Sequence, residues 1–203
     1  MTKVKICGIT SLRDAWTAID AGADALGFVF YAKSPRRATA LEARAIIRTL
    51  PPMVTTVGVF VSETADVVNE AAAFCKLGMV QLHGSEKPAL AGEIKVPVMR
   101  AISVRTVRDV AGAAEWHVPL FLFDAFSEAG PGGTGKRMPL AALKAAPAGV
   151  PYFVAGGLNP ANVAAVIRRT RPYGVDASSG LEKAPGWKDA EKVKRFIRAA
   201  KLA

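Results

Sequence analysis

The sequence predicts an α/β fold, a single-domain (β/α)₈ TIM barrel occupying residues 1–203. Three observations point there. Short apolar runs alternate with helical patterns along the whole chain, at the spacing of a strand-plus-helix unit. Runs such as Gly58-Val59-Phe60-Val61 are apolar on consecutive residues, as in a parallel sheet covered on both faces. No GxGxxG follows the first apolar run, which argues against the alternative of an open doubly wound sheet.

Strands are expected at 4–7, 25–30, 56–61, 79–82, 98–103, 120–124, 152–155 and 175–177. Helices are expected at 12–21, 40–49, 63–76, 87–93, 107–114, 139–145, 160–170 and 188–202, the fifth being short because Gly112 interrupts it. At 51% hydrophobic and 22% charged, 203 residues suffice for a substantial core in one domain. The first residues show no signal-peptide pattern, and no apolar stretch approaches the roughly eighteen residues a membrane span requires. A cytoplasmic protein with no membrane partner is therefore expected. Cys7 and Cys75 form no CxxC, so neither a disulfide framework nor a zinc site is suggested, and Cys75 reads as an inert core thiol in a helix.

The formal charge of +10 raises the question of nucleic acid. Lys188, Lys192, Lys194, Arg195, Arg198 and Lys201 interleave with Asp189 and Glu191, which reads as a solvated helix face. No strand pair combines aromatic and basic residues for stacking bases, so nucleic acid is not an expected partner. A small anionic substrate drawn into a basic mouth accounts for the surplus.

In a barrel, function gathers at the C-terminal ends of the strands. Cys7 ends the first apolar run, where a thiolate would serve as a base; an inert buried thiol is the plain alternative. Asp124 ends Phe121-Leu122-Phe123, and partial burial there would raise its pKa and suit it to a general acid, whereas a strand-ending turn residue is the simpler reading. The following segment, Ser127 through Gly132-Gly133-Thr134-Gly135, reads as a lid whose glycines admit close backbone approach to a ligand. Gly156 and Gly157 follow the seventh run, with Asn159 placed to cap the next helix and Pro160 in its first turn. Asp176-Ala177-Ser178-Ser179-Gly180 closes the eighth. Glycine and serine loops at these two adjacent strand ends read as a phosphate site rather than plain turns. Arg36, after the second strand, can take a carboxylate through two parallel hydrogen bonds, with Arg37 as the decoy. His83 ends the fourth run and reads as a hydrogen-bonding group for substrate rather than a metal ligand. His117 precedes a strand and should face the other end.

Seven motifs carry a resemblance: Lys5-Ile6-Cys7-Gly8-Ile9-Thr10; Gly27-Phe28-Val29-Phe30 with Ser34-Pro35-Arg36; Gly58-Val59-Phe60; Gln81-Leu82-His83-Gly84; Gly132-Gly133-Thr134-Gly135; Ala155-Gly156-Gly157-Leu158; and Gly174-Val175-Asp176-Ala177-Ser178-Ser179-Gly180. In this order they resemble the phosphoribosylanthranilate isomerases of tryptophan biosynthesis. The resemblance implies Cys7 as general base, Asp124 as general acid, Arg36 as anchor of the anthranilate carboxylate, and the glycine and serine loops as holders of the phosphate. It implies an Amadori rearrangement of an aminoaldose to an aminoketose with no cofactor and no metal, on a small substrate carrying a phosphate and a carboxylate, in a monomer or homodimer. Lys136-Arg137-Met138-Pro139 departs from the Phe-Asp-Trp-like segment of many relatives. The isomerase of histidine biosynthesis is the nearest rival, but residues 85–88 offer no second phosphate cradle. A catalytically dead phosphate-binding scaffold is the rival from another class.

Overall fold

The computed structural model describes residues 1–125 and 139–203, so the glycine-rich segment expected as a lid, Gly135 included, lies outside the described residues. Eight parallel strands pair in chain order: β1 Lys3–Cys7, β2 Ala25–Val29, β3 Thr55–Phe60, β4 Met79–Leu82, β5 Val98–Val104, β6 Leu120–Ala125, β7 Tyr152–Val154 and β8 Gly174–Ala177. β8 pairs back onto β1, with Val4 opposite Val175 and Lys5 opposite Asp176, and this seam closes the barrel.

Side chains alternate across each strand, and here both faces are buried. One set, including Met99, Ala101, Leu122 and Phe153, fills the barrel interior, where small residues make room for large ones. The other set, including Ile6, Phe28, Phe121 and Val154, packs outward against the helices. This double burial explains why the strands read as continuous apolar runs.

The helices are α1 Leu12–Asp20, α2 Ala40–Ile47, α3 Ala65–Cys75, α4 Leu90–Glu93, α5 Val107–Ala111, α6 Val163–Thr170 and α7 Ala190–Lys201. Local chemistry sets their starts. Thr39 and Glu42 form a reciprocal capping box on α2, an arrangement worth about 1 kcal/mol. Asp189 caps α7 through the N–H groups of Glu191 and Lys192. The buried face of α7 is Val193, Phe196, Ile197 and Ala200, the spacing of a helix lying on a core. Cys75 is buried at the end of α3, as expected of a core thiol.

Four local expectations are corrected. The α-helix expected at 139–145 is a 3₁₀ helix, Leu140–Ala145, because prolines at 139 and 147 bracket a segment too short for a regular α-helix. α5 gives way to a 3₁₀ turn, Gly112–Glu115. Asn159 does not cap α6: its side chain accepts from the N–H of Ala161 and its carbonyl from those of Asn162 and Val163, making a separate turn that delays the helix to Val163. Lys188 is not on a solvated helix face. Its side chain is buried in an antiparallel hairpin, β9 Glu182–Ala184 with β10 Trp187–Lys188, that turns at Pro185-Gly186 before α7. Lys201, from the same expected face, pairs with Asp24.

Candidate active site

Strand alternation delivers the chemistry to one end of the barrel. Cys7, Asp124, Arg36, His83 and Asp176 line a single pocket together with Gly156 and Gly157 after β7 and Ser178, Ser179 and Gly180 after β8. The thiol and the carboxyl of the sequence-predicted pair thus open onto the same mouth. Gly135 is the one sequence-predicted site residue outside the described residues.

At the end of β1, Lys5 and Cys7 are two residues apart and so share the inward face. Cys7 stands opposite Gly27 of β2, and the missing side chain is what admits it: a Cβ at residue 27 would lie 2.7 Å from Cys7 Sγ and 3.1 Å from Lys5 Nζ. Lys5 is wholly buried, and its ammonium donates to Asp176 Oδ1 at 2.9 Å across the closing seam. Burial works against the charge on Lys5, yet Asp176 and Cys7 together hold its pKa above the usual lysine value. Burial pushes the Cys7 thiol up and the carboxylate of Asp176 adds to the rise, while Lys5 and Lys188 pull it down.

Asp124 is almost completely buried, and burial followed by the negative charge of Asp176 raises its pKa to about 7. A carboxyl in that range keeps a proton at neutral pH and can give it up. His83 lies across from it, with Nε2 3.6 Å from Asp124 Oδ2. That contact is not an ion pair, because burial and the charges of Lys5 and Arg100 lower the His83 pKa to about 4 and leave the ring neutral. The Gln81 amide nitrogen stands 3.2 Å from His83 Nδ1; with the amide donating there, the ring proton sits on Nε2. Nε2 is buried without a hydrogen-bond partner among the described residues. A substrate oxygen or Asp124 itself can take that donor.

Arg36 reaches the pocket by lying across the end of β1. Gly8 has φ +74°, and a Cβ there would come within 2.8 Å of Arg36 Cδ, so the glycine supplies both the turn and the passage. One edge of the guanidinium is already held: Nε and Nη2 donate to Glu182 Oε1 and Oε2 at 2.9 and 2.8 Å. The edge carrying Nη1 is the one left for a ligand. Lys188 also donates to Glu182 Oε1, at 2.8 Å, and lies 3.4 Å from Ser178 Oγ. Burial opposes charge on Glu182, but the two cations hold its pKa below the usual carboxylate range. The loop after β8 and the arginine after β2 are thereby joined beneath the pocket. Beside the pocket, three cations, Lys5, Arg36 and Lys188, face the carboxylates Asp176 and Glu182, which suits the mouth to anionic groups.

Lys5, Gln81, Glu182 and Lys188 were not read as site residues from the sequence. Lys5 had a signal, since counting two residues back from Cys7 gives the same strand face. Gln81 stands in the same relation to His83. For the hairpin the only signal was Pro185-Gly186, a turn dipeptide between two very short runs. Among the described residues, no group of three or more His, Cys, Asp or Glu side chains is placed to hold a metal ion.

Comparison with known proteins bears on the family and the fold. Residues 4–199 match the family model of N-(5'-phosphoribosyl)anthranilate (PRA) isomerase. An N-(5'-phosphoribosyl)anthranilate isomerase from Trichlorobacter lovleyi is 52% identical over 204 residues, covering 100% of both chains. A phosphoribosyl anthranilate isomerase crystallised with reduced 1-(o-carboxyphenylamino)-1-deoxyribulose 5-phosphate superposes with a TM-score of 0.87 at 38% identity, again over 100% of both chains. Monomers generated from the dimeric Thermotoga maritima enzyme superpose at 0.88 with 37% identity over the same full coverage. From its sequence and from the barrel that carries its pocket, this chain belongs to the N-(5'-phosphoribosyl)anthranilate isomerase family.

Proposed function

We propose that Cys7 and Asp124 are the base and the acid of the reaction that this family membership assigns. The chain isomerises N-(5'-phosphoribosyl)anthranilate to 1-(2-carboxyphenylamino)-1-deoxyribulose 5-phosphate in tryptophan biosynthesis, as an aldose-ketose isomerase. The observation that carries the residue assignment is the placement of a thiol and a protonatable carboxyl on β1 and β6 around one pocket.

Asp124, whose pKa of about 7 keeps a proton available, gives it to the ribose ring oxygen. The C1–O bond breaks and the nitrogen lone pair forms an iminium at C1. Cys7, as thiolate, then takes the C2 proton. The C2–H electrons become the C1–C2 double bond of an enolamine and those of the iminium return to nitrogen. Tautomerisation moves the enol proton to C1 and leaves the C2 ketone. His83 Nε2–H offers a hydrogen bond to the sugar or to Asp124 as its proton leaves.

The substrate's two anionic ends fit two places in the pocket. The free edge of Arg36 suits the anthranilate carboxylate. Gly156, Gly157, Ser178, Ser179 and Gly180, with Asp176 at their base, suit the phosphate end. The reading includes a single barrel domain with a small-molecule substrate, present in the cytoplasm as a monomer or homodimer. No helix among the described residues is long and apolar enough to cross a membrane. A coupled fluorescence assay following consumption of phosphoribosylanthranilate tests it: turnover is expected for the intact chain, and loss of turnover for Cys7→Ala and for Asp124→Ala.

A further inference from the structure

Beneath the pocket lies a cation that the mechanism above leaves unused. Lys5 is wholly enclosed, and among the described residues its one carboxylate partner is Asp176, set beside it by the pairing of β1 with β8. Its position is not a packing accident. Gly27 leaves open the space over the end of β1, and Cys7 Sγ and Lys5 Nζ converge on that space, 2.7 and 3.1 Å from the point where a Cβ at residue 27 would sit. The charge of the ammonium favours the thiolate, against the burial that opposes it. A buried lysine is costly unless anions surround it, and a buried thiolate is costly unless a cation stands against it. Each answers the other's need.

We propose that Lys5 is the positioning residue of the base: its ammonium, fixed by Asp176, stands against Cys7 Sγ and holds the sulfur as the thiolate that receives the C2 proton. Lys5 keeps its own protons throughout. In the resting pocket the carboxylate of Asp176 takes up part of the lysine's charge, so the thiolate forms as a minority species and is regenerated after each turnover when the proton leaves Cys7. The other groups facing Cys7 are Asp176 from β8 and Lys188 from β10, with Asp124 of β6 and His83 of β4 also on the pocket wall. Gly27 of β2 presents no ionisable group. Lys188 is already tied to Glu182, which leaves Lys5 as the cation most directly coupled to the sulfur.

This inference rests on Cys7 being the base, and the test separates the two ideas. Lys5→Gln removes the charge while keeping a donor for Asp176. Iodoacetamide alkylates thiolate and not thiol, so the pH midpoint of Cys7 alkylation, read by mass spectrometry of the Cys7 peptide from the intact chain, reports the hold of Lys5 whether or not the protein turns over. In Lys5→Gln the midpoint is expected to rise by about one pH unit or more, a roughly tenfold smaller thiolate fraction at neutral pH. kcat should fall about tenfold across the neutral plateau with KM nearly unchanged, the alkaline limb moving up with the thiol, so that the deficit relative to the parent closes only above the raised thiol pKa. An unchanged midpoint, or a loss of kcat that is the same at every pH, overturns the proposal. Asp176→Asn gives a second arm should Lys5→Gln fail to fold: freeing the ammonium from its carboxylate should lower the alkylation midpoint, and a midpoint that rises or stays overturns the proposal too. Normal turnover by Cys7→Ala would instead remove the assignment of the base and leave the alkylation result standing.

Discussion

Arg36 and Glu182 are joined by two parallel hydrogen bonds, Nε to Oε1 at 2.9 Å and Nη2 to Oε2 at 2.8 Å, across a sequence separation of 146 residues. The pair turns a long surface arginine into a fixed arm with one free edge over the pocket. Glu182 is itself held from below by Lys188. An arginine aimed in this way loses less freedom when it takes a carboxylate.

Removing that arm should therefore appear in substrate binding. Arg36→Met is expected to raise KM by roughly ten- to a hundredfold, the range of a charge-assisted hydrogen bond worth about 1.5–3 kcal/mol, with a smaller effect on kcat. Glu182→Gln, which keeps an acceptor but loses the charge, should raise KM by less. Steady-state kinetics decide it: a fall in kcat at constant KM would count against Arg36 as the carboxylate anchor.

Glu182→Ala should also destabilise the fold. It strands Lys188, a buried ammonium whose other contacts are the carbonyl and hydroxyl of Ser178 at 3.4 Å. Breaking a buried pair from one side costs about 3–5 kcal/mol. Denaturant unfolding near neutral pH should show a loss of that order, and Glu182→Ala with Lys188→Met should recover part of it.

Asp124 makes the site acid-tolerant and alkali-sensitive. Its native pKa of about 7 lies above the carboxyl's ordinary value of 3.8, so the folded chain binds the extra proton between those values. Its contribution is complete below the unfolded pKa and is lost as pH rises through about 7. His83 runs the other way: its native pKa of about 4 lies below 6.5, so its contribution is present above 6.5 and is lost as pH falls toward 4. The two slopes oppose each other over most of the same window. Asp124→Asn should abolish turnover and stabilise the protein at pH 8 by about 1–3 kcal/mol, exposing the His83 slope. A variant less stable than the parent at pH 8 would show that the carboxylate is well accommodated.

The same shifts give the pH profile of kcat/KM an unusual origin. The productive form needs protonated Asp124 with ionised Cys7, yet the acid titrates near 7 and burial holds the thiol above its ordinary value. Because the base has the higher pKa, the product of the two fractions rises up to about pH 7, stays flat, and falls beyond the thiol's pKa. The acidic limb then reports the general acid and the alkaline limb the base. A profile that declines steadily from pH 6 upward would contradict this order.

Gly27→Ala tests the packing at the end of β1. Its Cβ would meet Cys7 Sγ at 2.7 Å and Cys7 Cα at 3.1 Å, so the thiol must turn away. Activity is expected to fall at least tenfold while circular dichroism keeps the native signal. Full activity in a folded Gly27→Ala protein would mean that the thiol's position is not critical.

The barrel was legible because its strands are buried on both faces, which writes apolar residues at consecutive positions in Gly58-Val59-Phe60 and Phe121-Leu122-Phe123. The mouth residues were legible for the related reason that a polar group ending such a run, as Cys7 and Asp124 do, has few places to go but a strand end. Lys5 was hidden by its setting: a lysine among Val4 and Ile6 reads as solvent-facing until strand closure gives it Asp176. Lys188 was misread because two-residue β10 is too short to show a period, and the basic run after it carried the helix pattern backward. The 3₁₀ helix Leu140–Ala145 contains good helix formers, and its bracketing prolines outweighed them.

The measurement that bears most directly on the assignment of base and acid is single-turnover conversion of phosphoribosylanthranilate by Cys7→Ala and Asp124→Ala, each shown to be folded and to bind the reduced product analogue. The expected result is binding close to that of the parent with turnover lowered by about a thousandfold or more in both, the scale of losing a general acid or base. Near-parental turnover in either folded variant would contradict it.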